Sequence, residues 1–273
     1  MPTKLPHGVL RLVACAALLL SSSAVAAQDW AVAALDASPR HHEWVEIPSG
    51  DRTVHAFVAF PEVAEGAVTL LVIHENGGLT DSVRLFADQA AEAGYIAVAV
   101  DLLSDFDAEF RRTSDFATSD AAREALSRLD PARVTADLRA AQAYAAALPA
   151  SNGKVVVVGF CWGGAQSFRY ATNAEGLAAA AVFYGSAPAE GFDRIQAPVY
   201  GFYAENDARI NTAIPAVDST MTALGKSYET VIYPGAGHAY MRAGDDPATA
   251  ADHPNRLARD ASWERLREIL ARL

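Results

Sequence analysis

The turn Gly159-Phe160-Cys161-Trp162-Gly163-Gly164 constrains this chain more than any other segment. The apolar, β-branched run Val155 to Val158 leads into it, and Ala165 to Ala171 reads as helix beyond it. A Gly-x-nucleophile-x-Gly sequence between a buried strand and a helix bends the chain sharply and exposes the central side chain at the end of the sheet. Glycine is needed on both sides because a side chain there would collide with the strand or the helix. The helix that follows aims free N–H groups and its positive dipole end at the sulfur, which favours a thiolate and an oxyanion. The competing reading is a buried structural cysteine in a glycine-rich turn.

The rest of the chain supplies the sheet that such a turn requires. Val68 to Ile73, Tyr95 to Val100, Val155 to Val158, Ala179 to Phe183, Val199 to Tyr203 and Thr230 to Tyr233 are short apolar runs that suit strands buried on both faces. Trp44 to Ile47 and Val54 to Phe60 alternate more, which predicts an antiparallel pair at the sheet edge. Helical patterns fall between the strands. One opens at Asp81 and closes at Gly94, and one starts at the Asp130-Pro131 cap. Two more run from Ile214 to Leu224 and from Asn255 to Leu273. The expected class is α/β: a mostly parallel sheet of about eight strands with helices on both faces. Residues 104–129 break the pattern, with Phe106, Phe110 and Phe116 among Asp and Arg. They read as a cap or pocket wall, or equally as a surface loop with a short helix.

The N-terminus predicts export. Lys4 and Arg11 precede the apolar run Leu12 to Leu20, and Ala24-Val25-Ala26-Ala27 offers a small-residue cleavage site. The run is too short to span a bilayer. Residues 1–27 therefore read as a cleaved signal peptide, cut after Ala26 or Ala27, and 28–273 as one domain in the periplasm or medium without a stable membrane anchor. Residues 1–27 hold two of the 22 basic residues and none of the 33 acidic ones, so the formal charge moves from −11 to −13 on cleavage. Such a surface argues against nucleic acid or anionic membrane as partner and favours a small molecule. Of two cysteines, Cys15 leaves with the signal, so Cys161 is a lone thiol in an oxidising compartment. A monomer is the simplest assembly.

A cysteine nucleophile needs a base, and the base needs a group to orient it. Downstream of Cys161, His238 lies in Pro234-Gly235-Ala236-Gly237-His238, directly after the last strand, whereas His253 opens the final helix. Asp207 lies in the loop after Val199 to Tyr203, with Glu205 as competitor. The order nucleophile, acid, histidine is that of α/β-hydrolases. In that fold the loop after an earlier strand supplies one oxyanion donor and the residue after the nucleophile the other, which points to the backbone N–H groups of Asn76 and Trp162. His74, at the end of its strand, reads as a histidine bonded to backbone.

The segments His74-Glu75, Gly159 to Gly164, Asp207 and Gly235-Ala236-Gly237-His238 together resemble the dienelactone hydrolase (carboxymethylenebutenolidase) family, over roughly Trp44 to Leu273. The resemblance implies a Cys161–Asp207–His238 triad, with Glu75 holding the resting thiol and taking its proton when substrate binds. It implies attack on a lactone or ester carbonyl and hydrolysis of an acyl-enzyme, without metal or cofactor. Arg242, four residues beyond His238, matches an arginine with which the family binds a substrate carboxylate. A second such arginine, shortly after the strand ending in Asp101-Leu102, has no counterpart before Arg111, and Ala239 stands where a hydroxyl is typical. Arg209 and either Arg111 or Arg112 are the candidates to complete a clamp. The alternatives are a broad carboxylesterase for neutral esters and a non-catalytic domain whose thiol binds a ligand or senses oxidant.

Overall fold

The computed structural model describes residues 26–62 and 66–273. Its strands are β1 (His41–Ser49), β2 (Arg52–Phe60), β3 (Ala67–Ile73), β4 (Ile96–Val100), β5 (Ser151–Phe160), β6 (Leu177–Phe183), β7 (Val199–Asn206) and β8 (Tyr228–Gly237). They form one sheet in the order β1-β2-β4-β3-β5-β6-β7-β8. β1 pairs antiparallel with β2 and β2 with β4, as the alternation in that region predicts; the other pairings are parallel. The chain moves outward from β3 to β4, then crosses back to place β5 on the other side of β3. A crevice at the carboxyl ends of β3 and β5 follows from that reversal, and in open α/β sheets ligands bind at such points.

Alternate residues of the central strands feed two cores. Leu70, Val72, Val156 and Val158 face α1 (Ala26–Asp36), α2 (Asp81–Glu92) and α9 (Pro254–Leu270). Leu71, Ile73, Val155 and Val157 face α4 (Pro131–Ala147), α5 (Trp162–Ala171) and α7 (Ile214–Ala223). All eight side chains are buried. Each contributes about 1.5–3 kcal/mol of transfer free energy, so these runs hold the sheet between its helical layers.

Helix α4 starts as its sequence dictates, with the Asp130 side chain accepting the Ala132 N–H at 2.8 Å and Pro131 in the first turn. Helix α2 differs by one residue. Thr80 takes the N-cap position and Asp81 turns instead to Arg84. Helix α1 was not expected from the sequence; its Ala31 and Leu35 complete the core beside α2. Residues 1–25 of the signal-peptide reading lie outside the described residues, and both expected cleavage points fall in the first turn of α1. Segment 104–129 forms a 3₁₀ turn, Thr113–Asp115, and the helix α3 (Ser119–Ser127). Its Ala122, Ala125 and Leu126 make a small separate core with Leu103, against which Trp162 packs. Two short helices, α6 (Ala208–Asn211) and α8 (Tyr240–Asp245), follow the last two strands.

Candidate active site

Cys161 sits at φ 56°, ψ −114° between β5 and α5. Few non-glycine residues adopt a positive φ, and the surrounding packing holds this one. Its N–H donates to the Phe183 carbonyl at 3.0 Å, tying the turn to β6. A Cβ on Gly163 would run into the carbonyl oxygens of Ile73 and His74, and one on Gly159 into that of Gly163. The glycines are there so that β3, β5 and α5 can meet backbone to backbone beneath the thiol.

His238 follows β8 and its Nδ1 lies 2.6 Å from Asp207 Oδ2, with the Asp207 side chain 7 % exposed. A hydrogen bond to Cys161, then the bond to Asp207 and both negative charges, push the imidazole up to about 9 against the opposing effect of burial. The imidazolium is thus the favoured form at neutral pH. Glu205 is occupied elsewhere, accepting the Gly235 N–H at 2.8 Å. The Asn76 N–H has no backbone acceptor among the described residues, and the Trp162 N–H opens α5, where no preceding turn accepts it. Both residues border the same cavity as Cys161, a space of about 390 Å³.

The Glu75 carboxylate is engaged by Arg242 and Tyr184. Arg242 Nε donates to Glu75 Oε2 at 3.0 Å and the Tyr184 hydroxyl approaches Oε1 at 3.4 Å. The Glu75 charge is the main cause that raises Arg242 further above its ordinary value. His74 holds the loop from below. Its Nδ1–H donates to the Glu75 carbonyl at 2.7 Å, its Nε2 accepts the Leu102 N–H at 3.2 Å, and its ring stacks on Trp162. Burial lowers its pKa, which agrees with a neutral ring making those two bonds.

The expected clamp needs correction. Arg111 does not reach the cavity; it pairs with Asp105. Arg112 lies over the Trp44 ring, 5.4 Å from its centroid. Arg242 borders a different, much smaller recess, beside Glu75, Tyr184 and Met241. Arg209 does line the Cys161 cavity, and the cap contributes Arg123 and Leu126 from α3. Tyr184 was also missed. It stands at φ 40° after β6, with its ring edge-on to His238 at 5.1 Å. Only its place at a strand's carboxyl end marks it in the sequence.

The model of the dienelactone hydrolase family matches residues 54–273. A protein of Methylorubrum extorquens, provisionally named a carboxymethylenebutenolidase, is 30% identical over 213 residues, 72% of this chain and 71% of its own. A similarly named protein of Salmonella typhi is 28% identical over 82% of this chain and 85% of its own. Among solved structures, a dienelactone hydrolase assigned in Klebsiella pneumoniae superposes with a TM-score of 0.74 at 24% identity, over 86% of this chain and 99% of that one. At that identity the superposition speaks for the fold alone. The family match spans most of the chain, and the chain belongs to the dienelactone hydrolase family of α/β-hydrolases.

Proposed function

We propose that this hydrolase cleaves small esters or lactones through a thioester acyl-enzyme on Cys161. The observation that carries the reading is the 2.6 Å pairing of Asp207 with His238, whose imidazole is pushed up to about 9, first by its hydrogen bond to Cys161 and then by Asp207. The Cys161 thiolate attacks the carbonyl carbon, and the N–H groups of Asn76 and Trp162 receive the oxyanion. Collapse breaks the ester C–O bond, and the His238 imidazolium gives its proton to the departing alkoxide. Water then attacks the thioester, losing a proton to the neutral imidazole. The second collapse returns the thiolate and releases the acid. Asp207 holds the imidazole with Nδ1–H toward itself and Nε2 toward the sulfur.

Glu75 is the reserve carboxylate of this scheme. Paired with Arg242 and Tyr184 it leaves the thiolate to His238. We propose in addition that residues 1–27 direct export, a reading that rests on Lys4, Arg11, the Leu12 to Leu20 run and the alanines that follow; the N-terminal sequence of the protein recovered from the periplasm or medium tests it.

The catalytic reading is tested by mixing the protein with a chromogenic ester and quenching during the first turnover. Intact-mass spectrometry should find the acyl adduct on the peptide carrying Cys161. Turnover without any adduct, and undiminished in Cys161→Ala, would overturn it.

A further inference from the structure

The loop after β3 carries the proposed oxyanion donor of Asn76, and side chains hold that loop at both ends. Residues Glu75 to Gly78 form a turn in which the Gly78 N–H donates to the Glu75 carbonyl at 3.2 Å. At the start of the turn, the His74 Nδ1–H donates to the same carbonyl at 2.7 Å. Directly after it, the Leu79 N–H donates to the Thr113 hydroxyl at 3.0 Å. Thr113 lies in the 3₁₀ turn of segment 104–129, the segment whose α3 also walls the Cys161 cavity through Leu126. Thr113 is in turn fixed by Asp101, directly after β4. Its hydroxyl donates to Asp101 Oδ1 and its backbone N–H to Oδ2, both at 2.7 Å. Asp101 is 1 % exposed, and its Oδ1 also accepts the Leu103 N–H at 3.1 Å. The contact with the loop is close. A Cβ on Gly78 would stand 2.3 Å from the Thr113 Oγ1, so glycine at φ 83° is what lets the hydroxyl reach Leu79.

Resting on the ester-hydrolase reading, we infer that Thr113 is a positioning residue for the oxyanion hole. Its one hydroxyl accepts from the loop and donates to a buried carboxyl group, so it ties the far end of the 75–78 turn to the end of β4. That tie sets the direction of the Asn76 N–H, although Thr113 touches no reacting atom. Without the hydroxyl the Leu79 N–H loses its acceptor, and the turn is hydrogen-bonded only at its Glu75 end. The second donor, the Trp162 N–H, is untouched, because the first turn of α5 holds it. The loss is therefore partial and falls on the step that develops the oxyanion.

The test separates the oxyanion hole from the thiol. Hydrolysis of 4-nitrophenyl butyrate and reversible binding of an alkyl trifluoromethyl ketone both place a tetrahedral oxyanion in the hole. Alkylation of Cys161 by iodoacetamide forms a C–S bond, releases iodide and develops no oxyanion. Thr113→Val keeps the shape of the side chain and removes the hydroxyl. It should lower kcat about 10- to 100-fold with KM changed less than about threefold. Affinity for the ketone should fall by a similar factor, while alkylation stays within about twofold of wild type. Thr113→Ser should restore most of kcat. Thr113→Ala removes the same hydroxyl with less bulk and should repeat the pattern if valine disturbs the packing. The inference is overturned if the valine and alanine variants keep wild-type kcat, if alkylation slows in step with hydrolysis, or if serine rescues nothing. Failure of the hydrolase reading looks different: wild-type ester turnover would persist after complete alkylation of Cys161.

Discussion

The elbow and the cap meet at one cavity and are built on opposite principles. At the elbow, Gly159, Gly163 and Gly164 bring backbone against backbone, and the neighbouring carbonyls belong to the ends of β3 and β6, to the first turn of α5 and to His74 directly after β3. In the cap, α3 presents long side chains to solvent, and its Arg123–Asp120 pair is exposed. The Cys161 thiol is held where close-packed backbone leaves it a single place. The side chains of α3 at the cavity mouth are free to adjust. A reaction centre tolerates little displacement.

The largest effect that bears on this contrast is on turnover. Cys161→Ala and His238→Ala should each lower ester kcat by about 10³-fold or more, because the two act as one unit. If either retained near wild-type kcat while folded, the elbow would be a structural turn and the comparison would fall. Next in size is stability. Gly163→Ala drives a methyl into the Ile73 and His74 carbonyls and should cost about 1–3 kcal/mol or prevent folding. Ser127→Ala, on the cap, should stay within about 0.5 kcal/mol. Urea unfolding of both decides whether the rigidity is confined to the elbow, and equal losses would show that it is not.

A third measurement reads the coupling of thiol and imidazole. The first cause that raises His238 to about 9 is its bond to Cys161, so Cys161→Ser should move the imidazole titration downward in an NMR pH series. The sign for stability follows. The folded pKa lies above the ordinary 6.5, so the contribution is fully present below about 6.5 and is lost as pH rises through about 9. Wild type should therefore lose more stability than Cys161→Ser across that window; parallel losses would deny the coupling. The smallest effect is expected of Arg111→Ala. Its pair with Asp105 involves a half-exposed guanidinium and is worth about 0–1 kcal/mol, and the residue does not line the cavity. A large change in the turnover of a chromogenic ester would mean that segment 104–129 takes a different position when substrate is bound.

Much of this was legible in the residues themselves. The runs Val68 to Ile73 and Val155 to Val158 announce doubly buried strands because each residue must be apolar when both faces are covered. The elbow is legible because only glycine fits its flanks. The meeting of His238 with Asp207 is legible from chain order, since the two follow successive late strand ends. The short helices α6 and α8 were not, since neither has enough turns to show a periodicity. Arg111 illustrates the other limit. Its sequence position suggests a clamp, but an exposed side chain goes where the nearest carboxylate is, and Asp105 is nearer than the cavity.

The sequence alone determined the sheet, the place of the thiol and the order of its partners, because steric exclusion and burial act through residues adjacent in the chain. Tertiary structure alone decided that Glu75 rests against Arg242 and Tyr184 rather than the thiol. It alone brought α3 to the mouth of the cavity, so that Arg123 and Arg209, 86 positions apart, line one space. Long polar side chains are positioned by whatever charge and volume the folded neighbours leave to them, and no local pattern in the chain encodes that.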